Sequence, residues 1–382
     1  MIWLLLAPIL AAVVVLLAPR RAAYGLSLAA AAGLLAQVCQ LPVGAREVYP
    51  WIPSLGAQLA LYNDGLSYLL AALTGLITLV AVGSTPGQGR RFYAMLLLLS
   101  AGSYGVFLAS DLLLFFVCFE AVLAPLYFLI AVYGAEERRR AAFQFLLYTA
   151  AGSIALLLGI VTLYVVAGAE SFAMEKLLRA ELPPEAGRWV FWAFVVGLAV
   201  KTPMFPVHTW LPEAHTQAPT AGSLVLASVM LKMGTYGLAR LALPLLPAGG
   251  QDALALGTAS VAAILYGGWI CLAQTDWKRL IAYSSVSHLG FCTLGIFSLN
   301  ATGLAGGLLQ QVNHGISTGL LFLLAGFAYE RRHTRAMSEY GGIAKVMPGY
   351  AALLLFAMLG SMGLPLLNGF VGEFTILRGA YE

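Results

Sequence analysis

Charge is what this sequence has least of. Of its 382 residues 10% are charged and 60% are hydrophobic, and the mean hydropathy is +0.86. A water-soluble domain carries about 25% charged residues to cover its surface, so a soluble enzyme or a nucleic-acid-binding module is excluded. Cysteine is scarce too. Cys39, Cys118, Cys271 and Cys292 stand in or beside apolar runs with no metal-like spacing, and they read as small core residues. No cluster of histidine, cysteine and carboxylate shares one helix face, which speaks against a metal site. No nucleophile stands with a base and an oxyanion donor, which speaks against hydrolysis. Nucleotide-binding and haem signatures are absent, so no cofactor is expected in this chain.

Long apolar runs recur from end to end, and about 20 such residues cross the ~30 Å of hydrocarbon in a bilayer. Lipid offers the backbone no hydrogen bonds, so a span must be a helix or part of a closed barrel. These runs lack the alternation of barrel strands. The expected fold is therefore all-α, a polytopic membrane bundle with about twelve transmembrane helices. The spans fall at 2–18, 22–41, 64–83, 92–109, 111–133, 141–167, 188–214, 217–246, 252–274, 279–299, 303–328 and 349–380. A polar loop with Pro42, Pro50 and Pro53 separates the second from the third. The first run has no basic leader and no A-x-A site before Arg20, so it reads as a retained helix. Lys and Arg concentrate after the odd-numbered spans (Arg20, Arg21, Arg138, Arg139, Arg140, Lys278, Arg279 and Arg331 among them). That side is cytoplasmic by the positive-inside rule, which puts the N-terminus outside.

Two spans are interrupted. The seventh holds Lys201-Thr202-Pro203-Met204-Phe205-Pro206 and then Pro212; the twelfth holds Gly360, Gly363, Pro365 and Gly369. Proline removes a helix donor and clashes with the preceding turn. Paired broken helices are a mark of inverted-repeat transporters. The spacing predicts a three-helix segment over 1–90, a five-helix repeat over 91–246 and a second, incomplete repeat over 252–382.

Ionisable residues inside the spans are the candidate site. Glu120 lies mid-span in the fifth run, where an acidic side chain costs about 2.5–3.5 kcal/mol unless paired or hydrated. Five of the 21 basic residues are lysines, and two of those, Lys201 and Lys232, sit inside spans. A buried lysine can release its proton, and a neighbouring carboxylate sets how readily it does so; arginine cannot deprotonate. Lys201 and Glu120 would form a switchable pair. His288 and His314 lie in apolar spans flanked by small polar residues, and histidine can relay a proton near neutral pH. Glu373 follows the break in the twelfth span. His208 and His215, near the end of the seventh, are secondary candidates. The plainer readings are a packing salt bridge for Glu120, lysines held by carbonyls freed at the break, hydrogen-bonded core positions for His288 and His314, and helix-end hydrogen bonding for His208 and His215. A line of titratable groups through a dry bundle is what a proton path requires.

Val200-Lys201-Thr202-Pro203 through Phe205-Pro206-Val207-His208-Thr209-Trp210-Leu211-Pro212-Glu213-Ala214-His215, with Ala218-Pro219-Thr220, resembles the antiporter-like subunits of respiratory complex I. So do Ile281-Ala282-Tyr283-Ser284-Ser285-Val286-Ser287-His288 and Asn313-His314-Gly315. Glu373, where sister branches carry lysine, and the His333-Thr334-Arg335 run fit the family's M-type branch. The resemblance implies that Glu120 and Lys201 are the family's glutamate–lysine pair and Lys232 its central lysine. It makes His288 and His314 bridging positions and Glu373 the exit-side group. Members have about fourteen spans, so the resemblance implies that two helices are missing here or lie elsewhere. The resemblance also implies a proton channel in a bacterial inner membrane. FMN, iron–sulfur clusters and quinone would be held by partner subunits, and neighbouring antiporter-like subunits and lipids would surround the chain. A multisubunit sodium/proton antiporter and a membrane-bound hydrogenase share these motifs and stand as alternatives, with a purely structural scaffold as the non-transporting one.

Overall fold

The computed structural model describes residues 1–247 and 250–382. Every apolar run expected to span is helical. Helices α1 (Ile2–Leu17) and α2 (Arg20–Cys39) precede a hairpin of β1 (Arg46–Ile52) and β2 (Ala57–Tyr62), and α3 (Gly65–Gly83) and α4 (Arg90–Leu108) follow. The fifth run is two pieces, α5 (Leu112–Ala121) and α6 (Leu123–Tyr133), joined at Val122. Then come α7 (Arg138–Val166), a short α8 (Met174–Leu177), α9 (Pro184–Lys201), α10 (Trp210–Gln217), α11 (Thr220–Val225) and α12 (Leu231–Gly237). The second half holds α13 (Gln251–Leu272), α14 (Trp277–Ile296), α15 (Ala301–Arg332), the short α16 (Ile343–Val346), α17 (Pro348–Ser361) and α18 (Asn368–Tyr381). Among the described residues, eight helical segments are long and apolar enough to cross a membrane, and α1 and α17 are shorter apolar helices.

Helix starts are written in the sequence. Asp64, Asp111, Asp276 and Asn300 each accept a hydrogen bond from a first-turn amide, opening α3, α5, α14 and α15. Such caps contribute about 1 kcal/mol each. The outer faces are apolar: along α7, Phe143, Leu147, Ile154, Leu158 and Val161 are all exposed. Lys232 is fully buried. This inversion of a soluble protein suits a hydrocarbon solvent.

The polar loop between the second and third spans contains strands. Arg46 pairs with Tyr62 and Val48 with Ala60, and the register slips between Pro50 and Ile52. Proline there signalled a loop, but it is tolerated beside a bulge in an edge strand. Gly56, at φ +65°, closes the turn; a Cβ on it would collide with the Glu170 carbonyl oxygen at 1.9 Å. The cysteine reading needs correction as well. Cys118 and Cys292 are buried, but Cys39 is exposed, since it ends α2 on its outward face.

Within the first half α4 packs on α5, α6 on α7, and α7 on α9. In the second, α13 packs on α14, α14 on α15, and α15 on α17 and α18. The halves meet where α10, α11 and α12 lie against α14 and α15.

On the loop side of α3, Asp64 Oδ2 lies 2.5 Å from Arg240 Nη2 and its Oδ1 accepts from Ser67 N at 2.9 Å. Burial opposes charge on Asp64, but the Ser67 amide and the Arg240 guanidinium outweigh it and hold the carboxyl below its ordinary value of 3.8. A depressed folded pKa stabilises above the unfolded value, and that stability is lost as pH falls through the folded one. Asp64→Asn keeps a capping oxygen but removes the charge facing Arg240, so it should lower thermal stability at pH 7 by about 1 kcal/mol or more, with the deficit vanishing well below pH 4. Melting curves against pH check this; a pH-independent difference would refute it.

Candidate proton path

Lys232 is the centre of the site. The helix that carries it is distorted by a π turn at Leu226–Met230. There the Leu231 amide bonds to the Leu226 carbonyl, five residues back, which leaves the Ala227 carbonyl without its helical partner. Lys232 Nζ takes it, donating to Ala227 O at 2.5 Å. The same ammonium reaches His314 Nδ1 at 2.5 Å. Among the described residues no carboxylate lies within ion-pair distance of Lys232. Its charge rests on a carbonyl and an imidazole alone, a costly arrangement in a dry interior.

His314 is one side of a continuing line. Its ring faces that of His288, with centroids 5.6 Å apart at 71°. His288 Nε2 stands 3.9 Å from Glu373 Oε1. Glu373 Oε1 accepts from Gln310 Nε2 at 3.0 Å, Gln310 Oε1 accepts from Asn313 Nδ2 at 3.1 Å, and Asn313 Nδ2 also donates to the Asn368 carbonyl at 2.8 Å. The break between α17 and α18 makes room for this: a Cβ on Gly363, at φ +68°, would lie 2.5 Å from Glu373 Oε2. Lys232, His314, His288 and Glu373 therefore form one file across the bundle. A neutral imidazole accepts a proton at one nitrogen and releases one from the other, so this file can pass protons in steps. His288 also floors a groove of about 500 Å³ between α14, α15 and α17.

Lys201 and Glu120 are placed differently. Lys201 ends α9 and is 3% exposed; its Nζ lies 4.7 Å over the ring of Phe119. Glu120 accepts a hydrogen bond from Ser153 Oγ. Lys201 and Glu120 form no ion pair with each other, so the switchable pair is open in this structure, with an aromatic ring under the ammonium.

The secondary histidines are deeper than their position near a helix end indicated. His208, in the break between α9 and α10, is 2% exposed and surrounded by Phe205, Tyr266 and Tyr283. His215, on α10, is fully buried and stacks on Phe322 at 4.3 Å, with no hydrogen-bond partner on either ring nitrogen among the described residues. Helix-end hydrogen bonding therefore does not describe His215. Ser153 joins the site without a sequence signal, while Gln310 and Asn313, polar residues flanking His314 in the sequence, prove to be bonded to Glu373 and to each other. Gln310, Asn313 and His314 have i, i+3, i+4 spacing, the signal of one polar face on an apolar helix. Lys278, counted among loop charges, is buried at 5% exposure in the first turn of α14.

The family model described as NADH:quinone oxidoreductase/Mrp antiporter, TM, matches residues 109–382. The chain belongs to that antiporter family. Within the family it is 41% identical over 343 residues to NADH-quinone oxidoreductase subunit M of Rickettsia conorii, an alignment covering 88% of this chain and 69% of the relative. The M-type branch indicated by Glu373 thus agrees with this antiporter-family relative. Among solved structures, the chain resembles one in respiratory complex I from Thermus thermophilus, at 37% identity and TM-score 0.93, over 99% of this chain and 82% of that one. It also resembles a chain of the Mrp complex from Dietzia sp. DQ12-45-1b, at 26% identity and TM-score 0.91, over 98% of this chain and 42% of that one. The antiporter-family fold of a multi-pass membrane helix bundle is that of this chain.

Proposed function

We propose that this chain translocates protons as a membrane subunit of an NADH:quinone oxidoreductase, with electron transfer carried out by partner subunits. The file Lys232–His314–His288–Glu373 carries this reading. Lys201 loads Lys232 when Glu120 moves away from it, and Glu373 is the outlet. At an effective dielectric of about 20, unit charges 4 Å apart interact by ~4 kcal/mol, which is about three pKa units. Making and breaking one such pair is enough to load or eject a proton near neutral pH. Residues 91–246 and 252–382 act as two repeats, and the N-terminus lies on the outer side of a bacterial inner membrane. Flavin, iron–sulfur clusters and quinone belong to the partners, among them neighbouring antiporter-like subunits.

The likeness to an Mrp complex supports a second reading, a subunit of a sodium/proton antiporter run by ion gradients alone. Purification in mild detergent from the native membrane separates the two. Stoichiometric flavin, iron and NADH-dependent quinone reduction are the expected result. A pure assembly with neither flavin nor iron would transfer the path to cation exchange.

A further inference from the structure

Helix α10 ends in four carbonyls that have no partner of their own helix, as every α-helix does. Here the carbonyls of residues 215–218 are each taken by a different part of the chain. His215 O accepts from Ser223 Oγ of α11 at 3.0 Å. Thr216 O accepts from the Arg335 guanidinium, in the segment after α15. Gln217 O accepts from Ala135 N, between α6 and α7, at 2.9 Å. Ala218 O accepts from Lys278 Nζ of α14 at 2.8 Å. Further charged contacts fix the same corner: Arg335 Nε with Asp276 Oδ2 at 3.2 Å, and Arg279 Nη2 with Glu213 Oε1 at 3.1 Å.

Two of these donors are cations at the negative end of a helix, where charge and hydrogen bond reinforce each other. Lys278 is buried and Arg335 is a quarter exposed. Neither belongs to the file through Lys232. Between them they hold the half-helix that carries His215, a buried imidazole with no hydrogen-bond partner among the described residues.

We propose that Lys278 is a positioning residue, the central bolt of a latch that fixes α10 and so keeps His215 and the break after Lys201 in register with Lys232. This rests on the proton-path reading above. The latch ties the second half of the chain, through α14 and the segment after α15, to a half-helix of the first. A shift in either half therefore moves the break that carries Lys201. Arginine at 278 would still donate to the Ala218 carbonyl, whereas methionine matches lysine in length and donates nothing.

The test uses the intact complex in its native membrane with Lys278→Met and Lys278→Arg, read by hydrogen exchange over residues 210–218 and by protons moved per electron. Loss of a charged hydrogen bond should speed exchange there about tenfold or more in K278M, with fewer protons per electron. K278R should return both to near wild type. Exchange in K278M within about twofold of wild type would overturn the latch. So would K278R that exchanges like wild type yet pumps like K278M, because Lys278 would then act by giving up its proton. If K278M fails to accumulate, Arg335→Gln carries the same test on the Thr216 carbonyl. Exchange is read without turnover, so failure of the proton-path reading, seen as a Lys232→Ala complex that still pumps fully, is distinguishable from failure of the latch.

Discussion

Replacing Lys232 by alanine is expected to stop proton transfer through this chain, by a factor of about a hundred or more. The ammonium bridges the Ala227 carbonyl and His314 Nδ1. A methyl group donates nothing, so His314 is left without a proton source. Arginine at 232 should do no better, because a guanidinium keeps its proton at any pH a protein tolerates. This contrast separates proton transfer from charge. If positive charge alone mattered, K232R would pump. Protons moved per electron in sealed vesicles give the answer, and an unchanged ratio in K232A would remove Lys232 from the path. The alanine variant should still fold. It strands a carbonyl and an imidazole nitrogen at about 1–3 kcal/mol each, but it also removes a buried charge that no carboxylate balances.

Gly234→Val should have a large effect on folding. A Cβ at Gly234 would lie 2.3 Å from Thr202 Oγ1, 2.6 Å from Thr202 N and 2.9 Å from the Leu198 carbonyl. Two of those atoms are backbone, at the point where α9 ends. They cannot swing aside as a side chain would. Thr202 Oγ1 is itself bonded to the Leu198 carbonyl at 2.8 Å. Overpacking of this kind costs about 1–3 kcal/mol or more. The two extra methyls of valine should bring a second displacement that Gly234→Ala avoids. The expected outcome is little accumulated chain in the membrane, and a lowered melting temperature in what does accumulate. Normal yield and melting for the valine variant would mean that α9 and α12 are not packed as described. The contact also bears on the site, since Gly234 and Thr202 are close neighbours of Lys232 and Lys201.

Much of this was legible in the sequence because lipid simplifies the code. Each apolar run from Ile2 to Leu17 onward became helix because no other backbone state is satisfied there. Prolines at 203 and 206, and Gly363 with Pro365, marked both breaks. The hairpin at 46–62 was hidden, since its prolines signal loop and its pairing depends on a register that no local pattern announces. His215 was undervalued for a similar reason. Closeness to a helix end pointed to helix-end hydrogen bonding, but α15 supplies Phe322 across its face. Lys278 carries the same lesson in reverse: the run Asp276-Trp277-Lys278-Arg279 holds two adjacent cations, and nothing in it tells which one turns inward. For Lys201 and Glu120 the sequence supplied the partners, but not the ring of Phe119 that stands under the lysine.

The π turn at Leu226–Met230 is, in effect, one surplus residue stored in a helix. Each residue in an α-helix turns the chain by about 100°, so the surplus sets the direction in which everything after it points. Removing a single residue from the turn would let the helix close into regular α geometry. Thr220 and Lys232 would then be related by a different rotation, with the Ala227 carbonyl reclaimed by its own ladder. Lys232 would lose its carbonyl and turn away from His314 without any change in its identity. The length of this segment is therefore as much a part of the site as its composition, and single-residue insertions and deletions here should be as damaging as loss of the lysine itself.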